Sequence, residues 1–286
     1  MAQVYSRRFA ARAGTMSEAS VRPLALVTGA SSGIGEAFAR ALAARGCDLA
    51  LSARRVDKLE ALAAELSAQH GIEAFAVPAD LAVLDAHEAL LQAIAARGRH
   101  VDILINNAGF SIPQSFADVP WSRQSSFLMT LVVNACGLAH GVIPGMVARG
   151  QGRIINVASV AGYAPGVAGH SLYPGAKSLM IKISQALDAE YRAKGLKITA
   201  ACPGSTLTGF TAANGTDHLT ADGPRPFVQT PEQVVEASLN ANDAGRVVVV
   251  TGWWNVAAVA LMRLLPEGLV RALLMRGSAK YHLAAD

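Results

Sequence analysis

Cysteine is scarce in this chain. Cys47, Cys136 and Cys202 are the three in 286 residues and lie far apart, so neither a disulfide framework nor a cysteine-based metal centre is encoded. They read as small core residues in a reducing compartment, and the cytoplasm is the expected location. Charge is thin as well. Charged residues make up 16% and hydrophobic residues 52%, a balance that excludes a disordered chain. Aromatic residues are 6% of the total, and no basic stripe interleaves with them, so nucleic acid is not an expected partner. The net charge of +4 is unevenly placed. Arg7, Arg8 and Arg12 precede any acidic residue; without those three charges the net falls to +1 and the body is nearly neutral. There is no low-complexity tract and no repeat at a period of roughly 20–50 residues.

Residues 1–20 precede the first apolar run. The stretch is Arg-rich and acid-poor, as transit peptides are, and lacks the apolar segment of a secretory signal. The expectation is a disordered leader, with Met16 as an alternative start and mitochondrial targeting as the lesser reading.

What is present is alternation. Short apolar runs at Leu24–Thr28, Asp48–Ser52, Glu73–Val77, Asp102–Ile105, Arg153–Ala158, Lys197–Ala201 and Arg246–Val250 predict seven strands. Helical periodicity fills the gaps: Gly33–Arg45, Val56–His70, Asp85–Arg97, a long Trp121–Arg149 and Tyr173–Lys194. Thr230, Pro231 and Gln233 have the form of a helix start, with a capping threonine, proline at the first helical position and a glutamine that closes a capping box. Strands alternating with helices predict an α/β fold with a parallel, doubly wound sheet covered on both faces.

The first strand runs into Gly29-Ala30-Ser31-Ser32-Gly33-Ile34-Gly35 and then a helix. Glycines permit a tight turn and close approach of backbone N–H groups, and a helix N-terminus favours an anion. A glycine-rich turn without a ligand is the plainer alternative. The second strand ends in Ala53-Arg54-Arg55, where an acid would bind a ribose 2′-OH; arginines suit a 2′-phosphate instead, although two solvated arginines at a helix start are the bland possibility. Asp80-Leu81 after the third strand suits an adenine amino group. Asn107-Ala108-Gly109 after the fourth lets backbone approach a cofactor.

Tyr173 and Lys177 are four apart on a helix and share a face. A free phenol titrates near roughly 10, and a nearby ammonium lowers that value toward proton transfer at neutral pH. A surface pair without a role has the same spacing. Ser159 ends the fifth strand, where its hydroxyl can hold a substrate oxygen or cap a turn. Asn134 lies among apolar residues in mid-helix. Such an amide is most often a satisfied core group, and it is also what a water relay behind a catalytic lysine requires.

Taken together, TGxxxGIG, NNAG, the mid-helix Asn134, Ser159, YxxxK and a Pro-Gly after the sixth strand resemble the short-chain dehydrogenase/reductase family over about Leu24 to Val250. The resemblance implies a Rossmann-type, seven-stranded, three-layer α/β/α single domain and hydride transfer between a nicotinamide and an alcohol or carbonyl compound. It implies Tyr173 as acid/base, Lys177 as modulator of its pKa and ribose ligand, Ser159 as donor to the substrate oxygen, and Asn134 as organiser of a relay water. Pro203-Gly204-Ser205-Thr206-Leu207-Thr208 resembles the PGxxxT segment, with Thr208 at the carboxamide. Arg54 matches the position that selects NADP(H) over NAD(H). Pro174 departs slightly from the tyrosine motif but suits a first helical turn.

The expected organisation is a leader over 1–20, the catalytic domain over 21–252 with a substrate lid at 204–230, and an apolar helical extension over 253–286. Phe210 and Phe227 can cover a lipophilic substrate. His170 is expected to be a solvated loop residue. Val256–Leu265 and Glu267–Arg276 are too short to span a bilayer, for which roughly 20 residues are needed. They read first as a pocket wall or subunit contact and second as a membrane-surface contact. A homodimer or homotetramer formed through the two long helices is expected, with no metal. The rival function is a non-catalytic NADP-binding sensor. It would use the same glycine loop, but mere binding does not require Asn134, Ser159, Tyr173 and Lys177 together.

Overall fold

Hydrophobic alternation along the first strand decides the layering. The structure is a computed structural model that describes residues 22–208 and 227–278. The leader, Phe210 with most of the expected lid, and the last eight residues of the chain lie outside the described residues. In β1 (Leu24–Thr28), Ala25 and Val27 enter one apolar cluster while Leu24 and Leu26 enter another, as side chains must on opposite faces of a strand.

The strands β2 (Asp48–Ser52), β3 (Ala74–Ala76), β4 (Ile103–Asn106), β5 (Gly152–Val157), β6 (Leu196–Cys202) and β7 (Val248–Val250) complete a parallel sheet in the order β3-β2-β1-β4-β5-β6-β7. On the first face lie α1 (Gly33–Ala44), α2 (Val56–His70) and a helix over Pro231–Asp243, contributing Phe38, Leu42, Leu59, Leu66, Val235 and Leu239. On the second lie α3 (Ala86–Ala95), the long helix Trp121–Ala148 and α6 (Tyr173–Tyr191). The long helix comprises α4 (Trp121–Leu128), a wide π-turn at Met129–Val133 and α5 (Asn134–Ala148). By length and composition it could cross a membrane, yet half of its most apolar window is buried inside the protein. Gly137 and Gly141 admit His87 and Leu91 of α3 so closely that a Cβ would collide with either.

The helix Pro231–Asp243, hereafter α7, starts with the expected capping box, Thr230 and Gln233 bonding reciprocally. Two further helices, α8 (Trp253–Leu264) and α9 (Glu267–Ser278), follow β7. Apart from the π-turn inside the long helix, the main differences from the sequence reading lie at element ends. β3 and β7 are shorter, and α6 hands its last turn to a 3₁₀ segment at Arg192–Lys194.

Ion pairs gather at the amino edge of the sheet. Asp48 at the start of β2 accepts from Arg99 at 2.8 Å and from the Glu73 N–H. Asp243 meets Arg45 and Arg153, while the Asp243 carbonyl accepts from Lys197. The carboxyl edge carries none of these pairs and holds the site.

Candidate active site

The connections from β1 and β4 leave the sheet in opposite directions, which opens a crevice at the carboxyl ends of those two strands. Gly29 (φ 68°) and Gly33 (φ 58°) shape the turn after β1 in the left-handed region that glycine tolerates. A Cβ on Gly35 would collide with the Gly29 carbonyl, so Ile34 and the rest of α1 pack tightly against the turn. Ser32 is the N-cap of α1, but its side chain makes no cap hydrogen bond. The amino-terminal amides are thus left without a side-chain cap, an arrangement that fits a pyrophosphate. Thr208 reaches this loop, its methyl 3.1 Å from where a Gly33 Cβ would stand.

Thr28, which the sequence reading passed over, locks the neighbouring loop. Its buried hydroxyl donates to the Ile105 carbonyl and accepts from the Asn107 and Ala108 amides at 3.0 and 3.1 Å. Asn107 Nδ2 donates back to the Thr28 carbonyl at 2.9 Å. Gly109 faces Leu131 across 3.3 Å. The position before the first glycine was the available signal for Thr28.

Of the two arginines, Arg55 lies on the glycine loop. Its Nη2 donates to Ser31 Oγ and Ser32 Oγ at 2.8 and 2.9 Å. Arg54 is exposed and makes no hydrogen bond or ion pair with another described residue. Asp80 is exposed, one oxygen accepting from the Ala82 amide at 3.0 Å, and Leu81 is buried beneath it.

At the end of β5, Ser159 is both a turn cap and a site residue. Its Oγ accepts from the Ala161 amide at 3.1 Å, donates to the Pro203 carbonyl at 3.4 Å and lies close enough to the Tyr173 phenol to favour its ionised form. Gly204 packs against Asn255 of α8, where a Cβ would not fit, and Thr206 Oγ1 donates to the Gly204 carbonyl. Nothing in the pattern around Asn255 signalled that contact.

Tyr173 opens α6, and Lys177 lies one turn on with its ammonium 5.6 Å from the phenol ring. Lys177 is buried and Nζ donates to the Val157 carbonyl at 2.8 Å. Burial pushes the lysine down to about 8. Burial also pushes the phenol up to about 12, with the Ser159 hydroxyl pulling the other way. The expected lowering depends on an oxidised nicotinamide as well as the ammonium, and in the cofactor-free chain burial outweighs the ammonium. Desolvation of the phenolate dominates, and the lysine ammonium is occupied by a backbone carbonyl.

Asn134 is fully buried. Its Nδ2 donates to the Leu81 and Val83 carbonyls at 2.9 and 2.8 Å, and its Oδ1 accepts from the His87 amide and faces His87 Nδ1 at 2.8 Å. Both N–H groups and the carbonyl are spent on the segment after β3 and the start of α3. The side-chain amide is a satisfied core group, which leaves the backbone carbonyl, with its second lone pair, as the Asn134 group that can meet a water. Leu131, not Asn134, lies in the apolar cluster beside Tyr173.

That cluster forms an aromatic wall. Phe127 stands 6.4 Å from Tyr173 and 5.6 Å from Phe110, edge to face in the second pair. A small cavity between Ile112, Gln124, Phe127, Leu172 and Tyr173 adjoins the phenol. His170 is half-buried with its ring 6.1 Å from that of Tyr173, so it is not the solvated residue expected. Burial lowers its pKa. On the other side, Arg263 of α8 lies 4.8 Å over the Tyr163 ring, in the turn that follows Ser159.

A glycine cradle at the crevice of a doubly wound sheet, with Ser159, Tyr173 and Lys177 on the same edge, defines an oxidoreductase that uses a nicotinamide cofactor on carbonyl or hydroxyl groups. The family model for short chain dehydrogenase matches residues 23–219, and the chain belongs to that family. Over 257 residues it is 31% identical to an uncharacterized oxidoreductase of Myxococcus xanthus, covering 90% of this chain and 98% of the relative. It is 31% identical to the very-long-chain 3-oxoacyl-CoA reductase-B of Danio rerio, covering 79% of this chain and 70% of the relative. A short-chain dehydrogenase from Sphingobium yanoikuyae, solved in complex with NADPH, superposes with a TM-score of 0.73 at 32% identity, covering 86% of this chain and 97% of that one.

Proposed function

We propose that the protein is an NADPH-dependent reductase of a lipophilic carbonyl compound, with Tyr173 as the proton donor. The observation that carries this reading is the buried Lys177 one turn from Tyr173, its ammonium 5.6 Å from the phenol ring and donating to the end of β5, with Ser159 at the same strand end. When bound, the reduced cofactor supplies the hydride. Ser159 donates a hydrogen bond to the substrate oxygen and orients it toward the phenol. A phenol held near 12 is fully protonated at neutral pH, which suits an acid that delivers its proton as the oxygen gains charge. Lys177 would hold the cofactor ribose, and its ammonium would favour the phenolate left behind.

NADP(H) over NAD(H) is supported by the absence of an acid after β2 and by Arg55 on the phosphate loop. A lipophilic substrate is supported by Phe110, Phe127, Ile112 and Leu131 around the phenol and is in keeping with the acyl-CoA reductase among the relatives. The three unpaired cysteines support a reducing compartment and a cytoplasmic location.

The alternative is a non-catalytic NADP-binding sensor, which would need the glycine cradle but not Ser159, Tyr173 and Lys177 together. The test of both is Tyr173→Phe on a panel of ketones and 3-oxoacyl thioesters, followed by loss of the NADPH absorbance. Turnover is expected to fall by roughly 10²–10⁴-fold, with NADPH affinity within a few-fold. Near-normal turnover in that variant would overturn the mechanism. An intact wild type that binds NADPH yet reduces nothing would favour the sensor.

A further inference from the structure

The outer surface of α8 is apolar where a surface helix is ordinarily polar. Trp253, Val256, Ala257, Ala260, Leu261 and Leu264 recur at intervals of three and four and so form one stripe, and all are exposed, Trp253 at 74% and Leu264 at 82%. The opposite side of the helix already packs on the body through Asn255 and Val259. Past the break at Pro266, α9 repeats the pattern: Leu269, Ala272 and Leu273 are exposed while Val270 is buried. Exposed large hydrophobes in a contiguous stripe mark an interaction surface.

The charges along this segment are mostly positive. Between Trp253 and Arg276 the chain carries Arg263, which lies over the Tyr163 ring, and the exposed Arg271 and Arg276, against the single acid Glu267. The stripe also adjoins the mouth of the site. Trp253 stacks edge to face on Trp254 at 5.9 Å, and Trp254 on Phe227 at 6.1 Å. Phe227 and Leu207, both about half exposed, flank the two ends of the described chain around 209–226.

We propose that α8 and α9 form a docking surface for an anionic lipid bilayer, lying in the headgroup plane with the site mouth turned toward the membrane. Neither helix has the roughly 20 apolar residues needed to span. A tryptophan, a row of leucines and flanking arginines is the composition that partitions into an interface, the arginines extending toward phosphate while their stems stay with the leucines. A second copy fits this face less well. Self-pairing would gather the arginines of both protomers with one acid each, whereas anionic headgroups complement them.

The experiment is sedimentation of the full chain with phosphatidylcholine vesicles containing or lacking about a third phosphatidylserine. Partitioning to the mixed vesicles is expected to be at least tenfold stronger and to weaken in high salt. The double variant Leu261→Gln/Leu264→Gln should lose at least tenfold in binding, with its unfolding midpoint and NADPH affinity retained. Arg271→Gln/Arg276→Gln should lose the preference for phosphatidylserine. Three results would each overturn the proposal. The first is absence of binding to either vesicle. The second is a leucine variant that shifts an oligomer to monomer without changing sedimentation, which points to a second copy. The third is a leucine variant that unfolds at markedly lower temperature, which points to the chain's own segment covering the stripe.

Discussion

Replacing Lys177 by methionine isolates what it takes to keep an ammonium under the site. The folded protein holds Lys177 at about 8 against an ordinary value of 10.5 because burial penalises its charge. At about 1.4 kcal/mol per pH unit, the charged lysine lowers stability by about 3 kcal/mol at neutral pH. Methionine fills similar space without charge but leaves the Val157 carbonyl without its 2.8 Å donor, a loss of about 1 kcal/mol. The variant should therefore be more stable by about 2 kcal/mol at pH 7, or roughly 4–8 °C in unfolding midpoint.

The pH dependence fixes the cause. Below about 8 the lysine is charged in both the folded and unfolded chain, and the folded state carries the full penalty. Between about 8 and 10.5 the unfolded chain still binds the proton that the folded chain has released, so wild-type stability rises with pH. Above 10.5 both are neutral and the advantage of methionine is gone. The Tyr173 phenol, raised to about 12 by burial and coupled to Ser159 alone, loses stability between 10 and 12 equally in both proteins and cancels. The assay is thermal unfolding of the cofactor-free pair at pH 7, 9 and 10.5. A methionine variant less stable at pH 7, or one whose difference is flat with pH, would refute the argument.

Arg55→Ala should weaken NADPH binding roughly 10–100-fold and NADH binding little, as read by fluorescence titration. An equal loss for both cofactors would contradict a part for Arg55 in the NADP(H) preference. Asn134→Ala strips partners from the Leu81 and Val83 carbonyls and the His87 amide, so stability should fall by about 3 kcal/mol and NADPH affinity should drop. Turnover at saturating NADPH should stay within a few-fold, and a hundredfold loss in turnover with unchanged stability would give the side chain itself the relay role. Light scattering at micromolar concentration should report a dimer or tetramer, given the exposed Trp121, Val133 and Leu179 on the two long helices. A monomer would contradict pairing through them.

The Lys177 and Asn134 arguments also mark how far the sequence carries. The strands and the glycine turn follow from local periodicity and fixed spacing, which is why β1, β2 and α2 match the reading residue for residue, whereas the grouping of Ser159 with Tyr173 and Lys177 comes from the family resemblance. Asn134 had two readings because mid-helix position leaves orientation open. The wide turn at Met129–Val133 and the closeness of α3 at Gly137 decide it, and both are tertiary facts. The phenol's upward shift was hidden for a related reason. Spacing reveals that an ammonium is near, not how much water both groups have lost. The stripe on α8 was legible as apolar, but only the fold reveals which side is already used.

The separation of ion pairs from chemistry along the sheet has a bearing on how this protein can be altered. Asp48, Arg99, Asp243, Arg45 and Arg153 hold the amino edge, a full strand length from Ser159. Substitutions that tighten those pairs do not touch the desolvated lysine and phenol that stability would otherwise be traded against. Rigidity can thus be added at one end while the loops at the other are left free to diverge toward new substrates, so the sheet works as a chassis with a fixed end and an adaptable one.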